Sequence, residues 1–288
     1  MKALLIFGSL LVMGSGGNSF ADDGHREALV LGDSVPFGYI ASVGYDYFYR
    51  RPENFVGFAN DLGDWFHLET VNASCPGETT GSFLSSTAPD NGCRAYRELY
   101  PLHVHYHSTQ LEFATDYLKQ HHEVRLVAIM LGANDGLLLE ASCASQPTPV
   151  LVEECIEAGA PALLATVETN MQKILTDLQA TGYSGAIVIN NYYSLDYSNA
   201  PATALTSDLN AAIAAPAQAF GAVVADNFSA FEAVASNPSF GGQTCKTGLL
   251  NPDVITPYAC NIHPARTGHR VIAQSVAHAL RDSEFQHD

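Results

Sequence analysis

The chain has 288 residues, of which 47% are hydrophobic and 15% charged, and a formal net charge of −17. That length buries a sizeable core within one large domain. The acidity argues against nucleic acid or an anionic membrane as a partner, because phosphates would be repelled.

The first 21 residues read as a secretory signal. Lys2 supplies the positive start, and Leu4 to Met13 an apolar stretch too short to cross a bilayer. Ser19-Phe20-Ala21 supplies small residues around a cleavage point. Residues 22–288 then form a single domain, whose 12 basic and 30 acidic residues give a charge of −18. No later apolar run approaches the roughly 20 residues a spanning helix needs, so a secreted product is expected, or a periplasmic one in a Gram-negative source. Sequence alone is silent on oligomeric state.

The elements alternate along the chain. Ala28 to Leu31 is an apolar strand ended by Gly32. Phe55 to Trp65 has helical spacing, and His67 to Val71 reads as a second strand. Gln110 to Gln120 is a helix, followed by the strand Val124 to Leu131. Ala160 to Thr181 has apolar residues at every third or fourth position, and Gly182 stops it. Ala186 to Ile189 is a strand, Ala202 to Phe220 an Ala-rich helix, Ala222 to Ala225 a strand and Arg266 to Arg281 the last helix. Strands separated by helices predict an α/β fold with a central parallel sheet covered on both faces. Ligands of such sheets sit beyond the C-terminal strand ends.

Six cysteines in an exported chain point to disulfides. Sequence proximity suggests Cys75–Cys93, Cys143–Cys155 and Cys245–Cys260, each closing a loop of roughly 12 to 20 residues for about 3 kcal/mol. The alternative, a metal site, lacks any Cys-x-x-Cys pair. His103-x-His105-x-His107 would share one face if extended, but no fourth ligand is evident. Neither a metal nor a cofactor is expected. His121-His122 fits a helix C-terminus, where histidine suits the dipole, and His269 reads as a packing or hydrogen-bonding residue.

Three separated segments supply what acyl transfer requires. Gly32-Asp33-Ser34 offers a hydroxyl nucleophile, Gly132-Ala133-Asn134-Asp135 an amide donor, and His263-Pro264 an imidazole base. Ser34, Gly77 and Asn134 all follow predicted strands and so converge on one sheet edge. Taken singly, Ser34 could be a helix N-cap, Gly77 a turn glycine, Asn134 a capping amide and His263 a satisfied histidine. The G-x-S-x-G elbow is absent around Ser34, where position 36 is Pro. A near match at Gly182-Tyr183-Ser184-Gly185 precedes a strand rather than following one.

Gly32-Asp33-Ser34, Gly77, Gly132-x-Asn134-Asp135 and His263-Pro264 resemble, in order, the four blocks of the SGNH, or GDSL, esterase and lipase family. Cys75-Pro76-Gly77-Glu78-Thr79, Asn191-Tyr192-Tyr193-Ser194 and His263-Pro264-x-x-x-Gly268-His269 are most similar to its secreted actinobacterial-type branch. The resemblance implies a three-layer α/β/α, flavodoxin-like fold. It also implies a serine esterase or lipase that forms a covalent acyl-enzyme on small-molecule or lipid esters. Ser34 would attack, His263 would act as base, and Ser34 N–H, Gly77 N–H and the Asn134 side chain would form the oxyanion hole. Asp33 and Asp135 would fix their loops through backbone N–H groups, and Pro264 would open the final helix.

The chain departs from that pattern where the family places an aspartate three, or in some members two, residues before the histidine. Those positions hold Cys260 and Asn261. Either a backbone carbonyl holds the imidazole in a Ser–His dyad, or the Asn261 oxygen accepts its N–H; nothing in the spacing favours Asp253. The missing aspartate motivates one alternative, a catalytically inactive binding protein on the same scaffold; a carbohydrate O-acetyl esterase, which differs only in substrate, is another.

Overall fold

A computed structural model describes residues 26–41, 45–252 and 260–282. Residues 1–21, on which the secretory-signal reading falls, and Asp253 lie outside them. The chain runs β1 (Glu27–Gly32), α1 (Ser34–Phe37), α2 (Asp46–Tyr49), α3 (Phe58–Phe66), β2 (Glu69–Asn72), α4 (Thr80–Leu84), α5 (Cys93–Leu99) and α6 (Gln110–Gln120). It continues with β3 (Val124–Met130), α7 (Ala133–Cys143), α8 (Pro149–Gln179), β4 (Ala186–Asn190), α9 (Ala200–Ala214), β5 (Val223–Ala225) and α10 (Asn227–Ala235). A short β6 (Leu250–Pro252), β7 (Cys260–Pro264) and α11 (Arg266–Asp282) close the fold.

Strands β1 to β5 form one parallel sheet in the order β2-β1-β3-β4-β5, the flavodoxin-like order. Every residue of β1, and all but Arg125 of β3, is buried. Their runs Ala28–Leu31 and Leu126–Met130 are apolar without alternation because helices cover both faces. Helices α3 and α11 pack together on one side, and α6 and α8 on the other. The strand order reverses between β1 and β3, and both lead directly into the loops that carry Ser34 and Asn134.

Several boundaries differ from the sequence reading. Helix α8 starts at Pro149, eleven residues before the expected Ala160, and runs through Pro161. The Ala202–Phe220 helix is two elements, because α9 ends at Ala214 and a 3₁₀ turn, Ala217–Phe220, follows Pro216. Proline at 216 cannot donate the next helical hydrogen bond. Pro264 does not open the last helix: it ends β7, which pairs antiparallel with β6, and the helix starts at Arg266.

Disulfides join Cys75 to Cys93, Cys143 to Cys155 and Cys245 to Cys260. The last ties β7 to the 3₁₀ turn Thr244–Thr247. Among the described residues no helix is long and apolar enough to cross a membrane.

Candidate active site

Gly32 ends β1 with φ +130°, and a Cβ there would lie 1.9 Å from the Met130 carbonyl oxygen. The chain can therefore turn sharply against β3 only with glycine. Asp33 caps the short helix that follows, its Oδ1 accepting from Val35 N at 2.9 Å. Ser34 is the first helical residue, so its own N–H has no intrahelical partner.

His263 arrives from β7. Its Nε2 lies 2.9 Å from Ser34 Oγ. Its Nδ1 meets Asn261 Oδ1 in a short hydrogen bond, and the same Oδ1 accepts the His263 backbone N–H at 3.0 Å. That backbone donor identifies the amide atom as oxygen, so the facing Nδ1 must carry the proton. Nε2 is then left with the lone pair a general base needs. The atom facing Nδ1 is thus the Asn261 oxygen rather than a backbone carbonyl. Burial pushes the His263 pKa down to about 4. Tyr39 sets its ring edge-on to the imidazole at 5.0 Å, and Tyr193 OH donates to Ile262 O at 2.6 Å, tying down the strand beneath.

Gly77 and Asn134 line the same cavity as Ser34 and His263. Gly77 has φ +88°. Asn134 donates from Nδ2 to Glu78 O at 3.0 Å and more loosely to Asp33 Oδ2 at 3.4 Å. Its Oδ1 accepts from Asn91 Nδ2 at 2.9 Å. Asp135 clamps the neighbouring loop, accepting from Thr80 N at 2.9 Å and Thr80 Oγ1 at 2.6 Å. Both aspartates thus accept backbone N–H groups, and Asp33 also accepts from Tyr192 OH at 2.5 Å. Burial pushes the Asp33 carboxyl up to about 7, with the Tyr192 bond opposing it.

Sequence reasoning passed over a second ring of residues. Gln110 brackets Gly32, accepting from its N–H at 2.5 Å and donating to its carbonyl at 3.0 Å. It also donates to Glu78 Oε2 at 3.0 Å, and Glu78 Oε1 accepts from Ser82 Oγ at 2.5 Å. Burial lifts the Glu78 carboxyl to about 7. The glutamine heads an ordinary amphipathic helix, so no local signal marks it. Glu78 and Tyr192 lie in stretches that carry the family resemblance. His103 Nε2 bonds Phe37 O at 2.9 Å, while the His105 and His107 rings meet edge to face. His121 follows α6 as its C-cap. His269 Nδ1 accepts the Phe58 N–H at 3.2 Å, and burial pushes its pKa down to about 3.

The cavity has a volume of about 440 Å³, within the range of small-molecule sites. Beyond the polar centre its wall is apolar, formed by Leu137, Leu139, Ile156, Leu163, Leu205 and Leu209 from α7, α8 and α9. The arrangement offers a hydroxyl hydrogen-bonded to an oriented imidazole, in a cavity that Gly77 and Asn134 also line and from which an apolar slot leads away.

No curated protein is significantly similar to the chain. Among solved structures, a phospholipase A1 from Streptomyces albidoflavus NA297 superposes with TM-score 0.58 at 15% identity, over 89% of this chain and 100% of that one. An extracellular lipase from Streptomyces rimosus gives 0.56 at 17%, over 88% and 99%. An acetyl xylan esterase from Geobacillus stearothermophilus gives 0.51 at 15%, over 90% and 95%. These likenesses establish the shared fold. The sequence profile of the GDSL-like lipase/acylhydrolase family matches residues 30–271. The chain therefore belongs to the GDSL-like lipase/acylhydrolase family, a family of carboxylic ester hydrolases.

Proposed function

We propose that the protein is an exported serine esterase that cleaves acyl or lipid esters through a covalent acyl-enzyme. The observation that carries this reading is the hydrogen-bonded chain Ser34 Oγ, His263 Nε2, His263 Nδ1, Asn261 Oδ1. Ser34 Oγ attacks the ester carbonyl and passes its proton to His263 Nε2. Ser34 N–H, Gly77 N–H and Asn134 Nδ2–H receive the oxyanion, and losing one such donor typically costs about 3–4 kcal/mol. Collapse expels the alcohol, which takes the proton from His263. A water molecule, deprotonated by the same imidazole, then cleaves the acyl-enzyme and releases the acid. Asn261 holds the ring in the reactive tautomer throughout.

The apolar wall supports an extended acyl chain over acetate as the preferred group. Three disulfides support export. The test is a panel of nitrophenyl esters from acetate to palmitate, run on the wild type and Ser34→Ala, with fluorophosphonate labelling of both. The wild type should label and hydrolyse the longer esters, and Ser34→Ala should do neither. A folded wild type that does not label is a binding protein, and a strict preference for acetate points to an O-acetyl esterase. Leu205→Trp, which fills the slot, should cut turnover of long esters at least tenfold and spare acetate.

A further inference from the structure

Asn134 can donate to an oxyanion only while its amide keeps one of two orientations. Its Nδ2 end donates one N–H to Glu78 O at 3.0 Å, and the other, held only loosely by Asp33 Oδ2 at 3.4 Å, is the one an oxyanion can claim. Its Oδ1 end faces a single donor, Asn91 Nδ2, at 2.9 Å. Asn134 is 4% exposed, so little solvent is at hand to replace a lost partner. A reversed amide would set oxygen against the Glu78 carbonyl and the Asp33 carboxyl, and its Nδ2 against the Asn91 donor.

Asn91 is itself held against the other oxyanion donor. Its N–H donates to Gly77 O at 2.8 Å. A Cβ at Gly77 would come within 2.4 Å of Asn91 O, so the two backbones touch. The Cys75–Cys93 disulfide closes this contact two residues away on each strand of the loop. Asn91 also lines the cavity, while Gly92 turns the chain at φ +113° into α5. One short segment thus sets the spacing of Gly77 and the orientation of Asn134 together.

We infer that Asn91 is a positioning residue for the oxyanion hole, fixing the Asn134 amide with its Nδ2–H toward the reacting carbonyl. The inference rests on the role of Asn134 proposed above. The loss expected on mutation is catalytic, since an oxyanion donor acts on the transition state rather than on the bound ester.

Asn91→Asp tests this with little change of shape. A carboxylate there presents oxygen to Asn134 Oδ1, so either amide orientation now meets a repulsive contact. Asn91→Ala removes the partner without adding repulsion. On a nitrophenyl ester at pH 7, kcat should fall about tenfold for Asn91→Ala and about thirtyfold or more for Asn91→Asp, with KM within about twofold. The order matters, because a residue that merely packs would tolerate Asp better than Ala. In an Asn134→Ala background, Asn91→Asp should cost nothing further. The deficit of Asn91→Asp relative to wild type should also shrink in acid, where a protonated carboxyl can again donate. Wild-type kcat in Asn91→Asp, or losses that multiply in the double variant, would overturn the inference. So would an effect confined to KM. A wild type that neither labels with fluorophosphonate nor turns over overturns the esterase reading itself, and this inference with it; a fully active wild type with indifferent Asn91 variants sinks this inference alone.

Discussion

His263 carries its proton on Nδ1 because Asn261 presents an oxygen there and uses that same oxygen to hold the His263 backbone. A neutral amide orients the ring as a carboxylate would, but it stabilises the imidazolium less, since charge-assisted bonds are roughly twice as strong. Burial further disfavours the charged ring, whose pKa falls to about 4. The base must be neutral to act, so kcat/KM should hold as pH falls below 6.5 and drop through about 4. Asn261→Asp places a negative charge beside the ring, favouring its protonated form. The acid limb of the pH–rate profile should move upward by about one unit or more, and kcat should rise by up to about tenfold. An unmoved profile would exclude Asn261 as the orienting group. Sequence showed that an aspartate was missing and left Asn261 or a backbone carbonyl in its place. Which atom faces Nδ1 depends on side-chain rotation, which spacing does not encode.

The elements around the site depend on tertiary ties as much as on their own sequence. Helix α8 passes through Pro161, where a missing N–H and a ring clash cost about 3 kcal/mol in an unsupported helix. Its buried residues, Val167, Met171, Ile174, Leu175 and Leu178, all follow that proline. The part before it is held by other means: Cys155 is bonded to Cys143 of α7, and Leu139 of α7 packs where Gly159 has no side chain. A reading of periodicity sees only the apolar half and so starts the helix at Ala160. The loop after β2 is likewise closed by Cys75–Cys93. Replacing both cysteines with alanine should lower stability by about 3 kcal/mol, read as a fall in denaturant midpoint. It should also lower kcat, because Gly77 and Asn91 lie inside the closed loop. Unchanged kcat in the folded double variant would show that the loop keeps its shape without the bridge.

Across the whole molecule, burial shifts several groups around the site, Asp135 and Tyr192 upward among them, and among the acids and histidines four are shifted furthest. Asp33 and Glu78 are raised to about 7 by burial, and His263 and His269 are lowered to about 4 and about 3. Between about pH 4.5 and 6.5 the folded protein holds protons on both acids and neither histidine, and the unfolded chain the reverse. Proton uptake by these four groups then balances, and they contribute almost no slope to stability in that window. Glu78→Gln removes one proton from the folded side only. Its stability relative to wild type should therefore rise with pH across this window by about 1.4 kcal/mol per unit, checked by denaturant titrations at several pH values. A parallel pair of curves would mean that Glu78 is ionised in the folded state. Sequence by itself determined the parallel sheet and the four blocks that carry the family resemblance. Continuous apolar strands mark a sheet covered on both faces, and glycine, serine and proline mark the turns where its strands end. Only the tertiary structure decided how the site is held: Gln110 on Gly32, Tyr192 on Asp33 and Asn91 on Asn134 are separated by 78, 159 and 43 positions in the chain. Such bonds depend on where the folded backbone brings two polar side chains, and local propensity carries no record of that.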